Sequence, residues 1–159
     1  MSSPTAAPPR PDVLVRLCRS EPQRAAHFAV RRAVFVDEQD MFAGDDRDER
    51  DARITTLHAI GIANGRIAGA VRLYPLRAGD WKGDRLAVLP AARHGALGAR
   101  LVRFAVATAG ARGGERMVAM IQLSNVAFFE GLGWRRDGAA AAFHGRPHQP
   151  MAIGLSPDA

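Results

Sequence analysis

In residues 13–18, Val13, Val15 and Leu17 are apolar at alternate positions with the basic Arg16 on the other face, the period-2 pattern of a first strand. From Ser20 the period lengthens. Ala25, Phe28, Ala29, Arg32 and Phe35 recur at helical spacing behind Ser20 as N-cap, with Pro22 in the first turn and Gln23 three residues on. This predicts a helix to about Val36, with Phe28 and Phe35 in the core. Residues 54–63 and 66–76 are two β-type runs joined by Asn64-Gly65, a dipeptide that suits a hairpin turn because both of its residues tolerate positive φ. Residues 81–89 read as a fourth strand, closed by Pro90. In residues 96–111, Leu97, Leu101, Phe104, Ala105 and Thr108 form one stripe, predicting a helix that ends at Gly110 and Gly113-Gly114. Residues 115–122 make a fifth strand. Ser124 caps a short helix through Leu132, Gly133 ends it, and the last β material, read as a hairpin, runs from Trp134 to Ala152-Ile153.

A meander of strands followed by alternating strands and helices predicts an α/β fold in which helices flank a mixed, mostly antiparallel central sheet. With 159 residues, 47% of them hydrophobic, residues 12–159 suit one domain, preceded by a disordered Pro/Ser/Ala-rich tail over residues 1–11. No apolar run reaches the roughly 18 residues of a membrane span, and no charged-then-apolar leader is visible, so no membrane partner and a cytoplasmic location are expected. Cys18 is the only cysteine. It excludes an internal disulfide and a cysteine-based metal site, and no metal is expected.

The net charge of +6 raises the question of nucleic acid. All basic residues except Lys82 are scattered arginines, without a recognition helix, an aromatic stacking run or zinc spacing, so no nucleic-acid partner is expected. Acidic charge is concentrated instead: 8 of the 16 Asp and Glu residues lie in residues 37–51. Such a loop at a pocket mouth would draw in a small cationic amine.

The chemistry begins at Arg93-His94-Gly95-Ala96-Leu97-Gly98-Ala99, a turn of small residues between a strand and a helix. Unpaired backbone N–H groups and the positive end of a helix dipole converge at such a turn, and Arg93 adds a full charge, so an anion such as a phosphate belongs there. One strand later comes Asn125-Val126-Ala127-Phe128-Phe129-Glu130-Gly131-Leu132-Gly133-Trp134. Together the two segments resemble the signature regions of the GCN5-related N-acetyltransferases, with Ala96 where an internal glycine is usual. The resemblance covers nearly everything from Val13 to Leu155.

This resemblance implies the acyl-CoA N-acyltransferase fold, with acetyl-CoA as co-substrate bound between the fourth and fifth strands. The turn would hold the pyrophosphate, Leu86-Ala87-Val88 would run beside the pantetheine arm, and an N–H near Val88 would face the thioester oxygen. Asn125 and Phe129 would also line the cofactor. Phe129 stands where the family often carries a tyrosine acid, and Tyr74, the only tyrosine, is no evident substitute. Catalytic candidates are then Glu38 and Glu49 as bases and Ser124 as an aid to the leaving thiolate. His58 reads as a structural histidine and His94 as a phosphate contact.

Two other functions remain open. Residues 32–36, Asp45, Asp48 and residues 69–76 resemble the N-terminal half of acyl-homoserine-lactone synthases, and Phe129 with Ala96 would also suit a noncatalytic coenzyme A sensor. Exposed β edges in the last third allow a homodimer.

Overall fold

The computed structural model describes residues 12–157. The expected tail over residues 1–11 lies outside them. Three helices, α1 (Glu21–Arg31), α2 (Leu97–Ala111) and α3 (Val126–Gly131), flank an eight-stranded sheet. Its strands are β1 (Val13–Leu17), β2 (Leu57–Ala63), β3 (Arg66–Pro75), β4 (Asp80–Val88), β5 (Arg116–Gln122), β6 (Arg135–Arg136), β7 (Ala141–Phe143) and β8 (Arg146–Gly154). The order is β1-β2-β3-β4-β5-β8-β6, with β7 on β8. Only β4 and β5 pair in parallel, so the sheet is mixed and mostly antiparallel as expected. Among the described residues, no helix is long and apolar enough to cross a membrane.

Helix α2 sits on one face of the sheet through a notch. Gly61 of β2 and Gly69 of β3 are register partners. A Cβ at Gly61 would come 2.7 Å from Leu97 Cδ1, and one at Gly69 would come 2.7 Å from Leu101 Cδ1. Two glycines side by side therefore let α2 settle onto the sheet, and its position fixes where its N-terminus points. Met117, Phe129 and Trp134 complete that core. On the opposite face, Val30, Val34 and Phe35 pack against Ala70 and Ala87.

Three boundaries differ from expectation. The first helix does not stay α-helical to Val36: from Arg32 to Glu38 it widens into a π-helix, with Gln39 N–H reaching the Val34 carbonyl at 2.9 Å. The wider turn keeps Phe35 inside while carrying Glu38 and Gln39 toward β4 and β5. Residues 123–125 form a 3-10 turn, so Asn125 rather than Ser124 occupies the cap of α3, and it makes no side-chain cap bond. The final β region is a three-stranded elaboration on β8, not one hairpin.

Candidate active site

Strands β4 and β5 pair only over Asp80–Lys82 and Arg116–Val118, then separate. The separation has a local cause in β4. Its register with β3 jumps between Ala70↔Ala87 and Arg72↔Asp84, so Arg85 and Leu86 together oppose Val71, and Arg85 adopts φ 51°. This is a β-bulge, which bends the strand. Beyond it, Leu89 N–H donates to the Ala68 carbonyl at 2.8 Å. Antiparallel pairing alternates, so Val88 turns its own N–H and C=O away from β3 and toward the gap.

A cavity of about 110 Å³ occupies this gap. Leu86 and Arg85 of β4, Ile121 and Gln122 of β5, Asn125, Phe129 and Trp134 contribute to its wall, with Phe35, Phe42 and Phe143 from the other face of the sheet. Apolar side chains dominate, with Gln122, Asn125 and His148 among them and the charged Lys82, Asp84 and Arg85 on the β4 side.

The turn at the C-terminal end of β4 leads straight into α2. Ala96 takes the cap position with φ −85°, no side chain caps the helix, and the first ladder bond of the turn runs from Arg100 N–H to the Ala96 carbonyl. The N–H groups of Leu97, Gly98 and Ala99 have no acceptor within the helix. A Cβ at Gly95 or Gly98 would approach no atom of this chain closer than 3.7 Å. Nothing in the protein itself demands glycine at either place, whereas a phosphate approaching the backbone does. The ordinary φ of Ala96 directs its methyl as in any helix, so the departure from glycine carries no strain.

Arg93 donates from Nε to the Val88 carbonyl at 2.9 Å, and its Nη atoms clasp the Glu38 carboxylate. That bond holds Glu38 below the usual carboxylate range and raises Arg93. Two residues singled out separately in the sequence thus meet beside the turn that leads into α2. Gln39 continues the bridge, accepting from Gln122 Nε2 at 3.0 Å and, through its carbonyl, from Arg146. The other candidates are scattered. Glu49 is exposed and paired with Arg53 at 3.7 Å, Ser124 is exposed, and His94 is exposed on the turn. Tyr74 is buried, 3.5 Å from Asp84, and burial pushes its hydroxyl up to about 12.

The acidic loop is not a solvated rim. Arg31 is fully buried, with Nε 2.8 Å from Asp46 and Nη1 2.8 Å from Asp51. Arg72, 1% exposed, grips Asp48 and Asp84, each at 2.6 Å. Arg85 holds Asp46 at 3.1 Å. Burial alone would raise the Asp51 carboxyl, but hydrogen bonds from His58 and Arg31 hold it well below the carboxylate range. His58 is structural, as expected: its Nδ1 accepts from Arg24 at 3.3 Å and its Nε2 meets Asp51 at 2.9 Å. His27, also buried, donates to the Ala59 carbonyl at 2.8 Å, and burial lowers its imidazole to about 3. Of the carboxylates expected to attract a cation, Glu38, Asp46, Asp48 and Asp51 are held by arginines of the same chain.

One cavity residue escaped the sequence reading. His148 of β8 stands opposite Gln122 of β5, is 3% exposed and lines the gap. No motif marks it; only strand register brings it there.

The model of the acetyltransferase (GNAT) family matches residues 20–134, and the chain belongs to that family. A Lactobacillus plantarum protein assigned as an N-acetyltransferase superposes with a TM-score of 0.80 at 25% identity, over 90% of this chain and 98% of that one. Escherichia coli ElaA gives 0.77 at 22% identity over 90% and 99%. The CoA-dependent acyl-homoserine lactone synthase BjaI gives 0.68 at 18% identity, over 82% and 74%. The fold is that of the acyl-CoA N-acyltransferases, and the chain is an acyltransferase of that class.

Proposed function

We propose that the chain transfers an acetyl group from acetyl-CoA to the nitrogen of a small amine by direct attack on the thioester. The observation that carries this reading is the line of backbone facing the gap, from the uncapped start of α2, past Val88, whose carbonyl meets only the Arg93 side chain, to the bulge at Arg85 and Leu86. Bound there, the thioester supplies an activated acyl carbon. The N–H groups of Leu97 to Ala99 hold the pyrophosphate, assisted by Arg93, and Leu86 to Val88 pair with the pantetheine as an added strand. A backbone N–H beside the bulge stabilises the oxygen on which negative charge develops. Phe129 and Trp134, packed edge to face at 5.3 Å, form an apolar wall against water. Glu38, beside the turn, can relay an amine proton only when its carboxylate is free of Arg93; Glu49 and Ser124 lie on exposed surface and can act only through water.

The apolar wall favours a second reading. Val102, Ala105 and Met117 extend the lining behind the strands, which would suit an acyl chain longer than acetyl, as in acyl-homoserine-lactone synthesis. A coenzyme A sensor would share the binding but not the turnover.

Titration calorimetry with coenzyme A and with pantetheine, which lacks the pyrophosphate, tests the site. Coenzyme A should bind at least tenfold more tightly; equal affinities would remove the phosphate cradle. Thiol release from acetyl-, hexanoyl- and decanoyl-CoA with a panel of primary amines then separates the readings: turnover best with acetyl supports acetyl transfer, turnover best with decanoyl the second reading, and binding without turnover the sensor.

A further inference from the structure

His148 is the cavity residue with a basic atom left over. Its Nδ1 lies 2.9 Å from the Arg146 carbonyl. A carbonyl only accepts, so Nδ1 carries the hydrogen and the lone pair sits on Nε2. Nε2 has no hydrogen-bond partner among the described residues, and it is not one of the polar atoms sealed off from solvent. The Phe143 ring packs edge-on against the imidazole at 5.1 Å and holds its plane.

The charged groups around the same cavity are otherwise engaged. Asp84 is held by Arg72 at 2.6 Å and Arg85 by Asp46 at 3.1 Å. Arg146 donates to the Gln39 carbonyl, and Lys82 carries donors only. Gln122, the register partner of His148, is tied to Gln39.

We propose that His148 is the general base of the acyl transfer, an assignment that rests on the acyltransferase reading above. The neutral amine nitrogen forms its bond to the carbonyl carbon, and its proton passes to Nε2 of His148. The carbon–sulfur bond breaks with its electron pair on sulfur, and the imidazolium returns the same proton to that thiolate. One group thereby serves both proton transfers, which accounts for a site where Phe129 replaces the usual hydroxyl donor.

The test uses the full chain with H148N and H148A. For the amine that the native protein turns over, kcat should fall at least about 100-fold in both variants. The rise in melting temperature on adding coenzyme A should be retained, and the acid limb of the kcat profile should flatten. Added imidazole should restore part of the H148A rate. Independently of turnover, diethyl pyrocarbonate followed by peptide mass spectrometry should label His148 in the free protein and not in the presence of acetyl-CoA. An unchanged rate and pH profile in H148N, loss of coenzyme A stabilisation along with the rate, or no labelling of His148 in the free protein would each overturn the assignment. A native chain that does not bind coenzyme A would instead overturn the acyltransferase reading beneath it.

Discussion

Strand β4 divides two regions that treat charge in opposite ways. On the side of α1 and residues 45–51, Arg31, Arg72 and Arg85 lie almost fully buried among Asp46, Asp48, Asp51 and Asp84. On the side of the gap to β5, the walls are mostly apolar, Asp84 and Arg85 at their edge are already ion-paired, and the unpaired groups are backbone groups, the Trp134 indole N–H and His148 Nε2. Ionic groups in the first region are paired with one another; only Asp46 Oδ1 is left without a partner, and it is sealed inside the network rather than offered to a substrate. Unsatisfied groups in the second have no role in holding the fold and are free for chemistry. Buried full charges mark structure here, and unpaired neutral groups mark the site.

The severest challenge to this contrast is Arg72→Met, which keeps volume but removes the buried cation that grips Asp84, Asp48 and the buried Asp51, leaving Arg85 and Arg31 as their remaining partners. Breaking such a pair from one side costs about 3–5 kcal/mol. Urea denaturation should show a loss of that size. A loss below about 1 kcal/mol would mean that the ion network is not what secures the loop. The companion change Phe129→Leu, in the wall of the gap, should cost less stability because it removes packing and strands no charge.

Acid should weaken the first region before the second. His27 titrates near 3 in the folded protein, whereas an unfolded imidazole titrates near about 6.5. Between those values the unfolded chain binds the extra proton, so stability is full above about pH 6.5 and declines as pH falls toward 3. By pH 5 the loss from this one group is about 2 kcal/mol. Asp51, held low by His58 and Arg31, adds to the decline in the carboxylate range. Chemical denaturation at pH 7, 6 and 5 measures the slope, and His27→Gln should flatten it above pH 5. A native-like slope in that variant would assign the sensitivity elsewhere.

The contrast explains what could be read from the chain beforehand. Period-2 and helical patterns reported the sheet and its helices because half-buried elements must segregate their side chains. The α2 turn was legible because an uncapped helix start is a feature of local backbone geometry, which Gly95 and Gly98 announce. The acidic loop misled because only its carboxylates are contiguous: their partners come from α1, β3 and β4. A signal was present all the same. Arg72 stands within the apolar strand run Ala70-Val71-Arg72-Leu73-Tyr74, and Arg31 three positions after Phe28 on the inward helix face. A cation in either place requires buried anions. His148 offered no such signal, since its place depends on the pairing of β8 with β5 far from the motifs.

The smallest effect is expected where the two regions touch, at the exposed pair of Glu38 and Arg93. Here the guanidinium has two suitors: the Glu38 carboxylate, which it grips in this structure, and the anion proposed to bind at the uncapped start of α2. If the pair belonged to the ionic region, Glu38→Gln would destabilise the fold. As part of the cleft it should leave the urea midpoint almost unchanged, since an exposed pair contributes little. It should instead bind coenzyme A a few-fold more tightly, because Arg93 no longer has to leave a carboxylate to meet a phosphate. Arg93→Ala should weaken the same binding several-fold, and the double variant should match Arg93→Ala alone, because Glu38 acts on the cofactor only through Arg93. Calorimetry on the three variants decides the matter: tighter binding in Glu38→Gln that persists without Arg93 would break the link between the two residues.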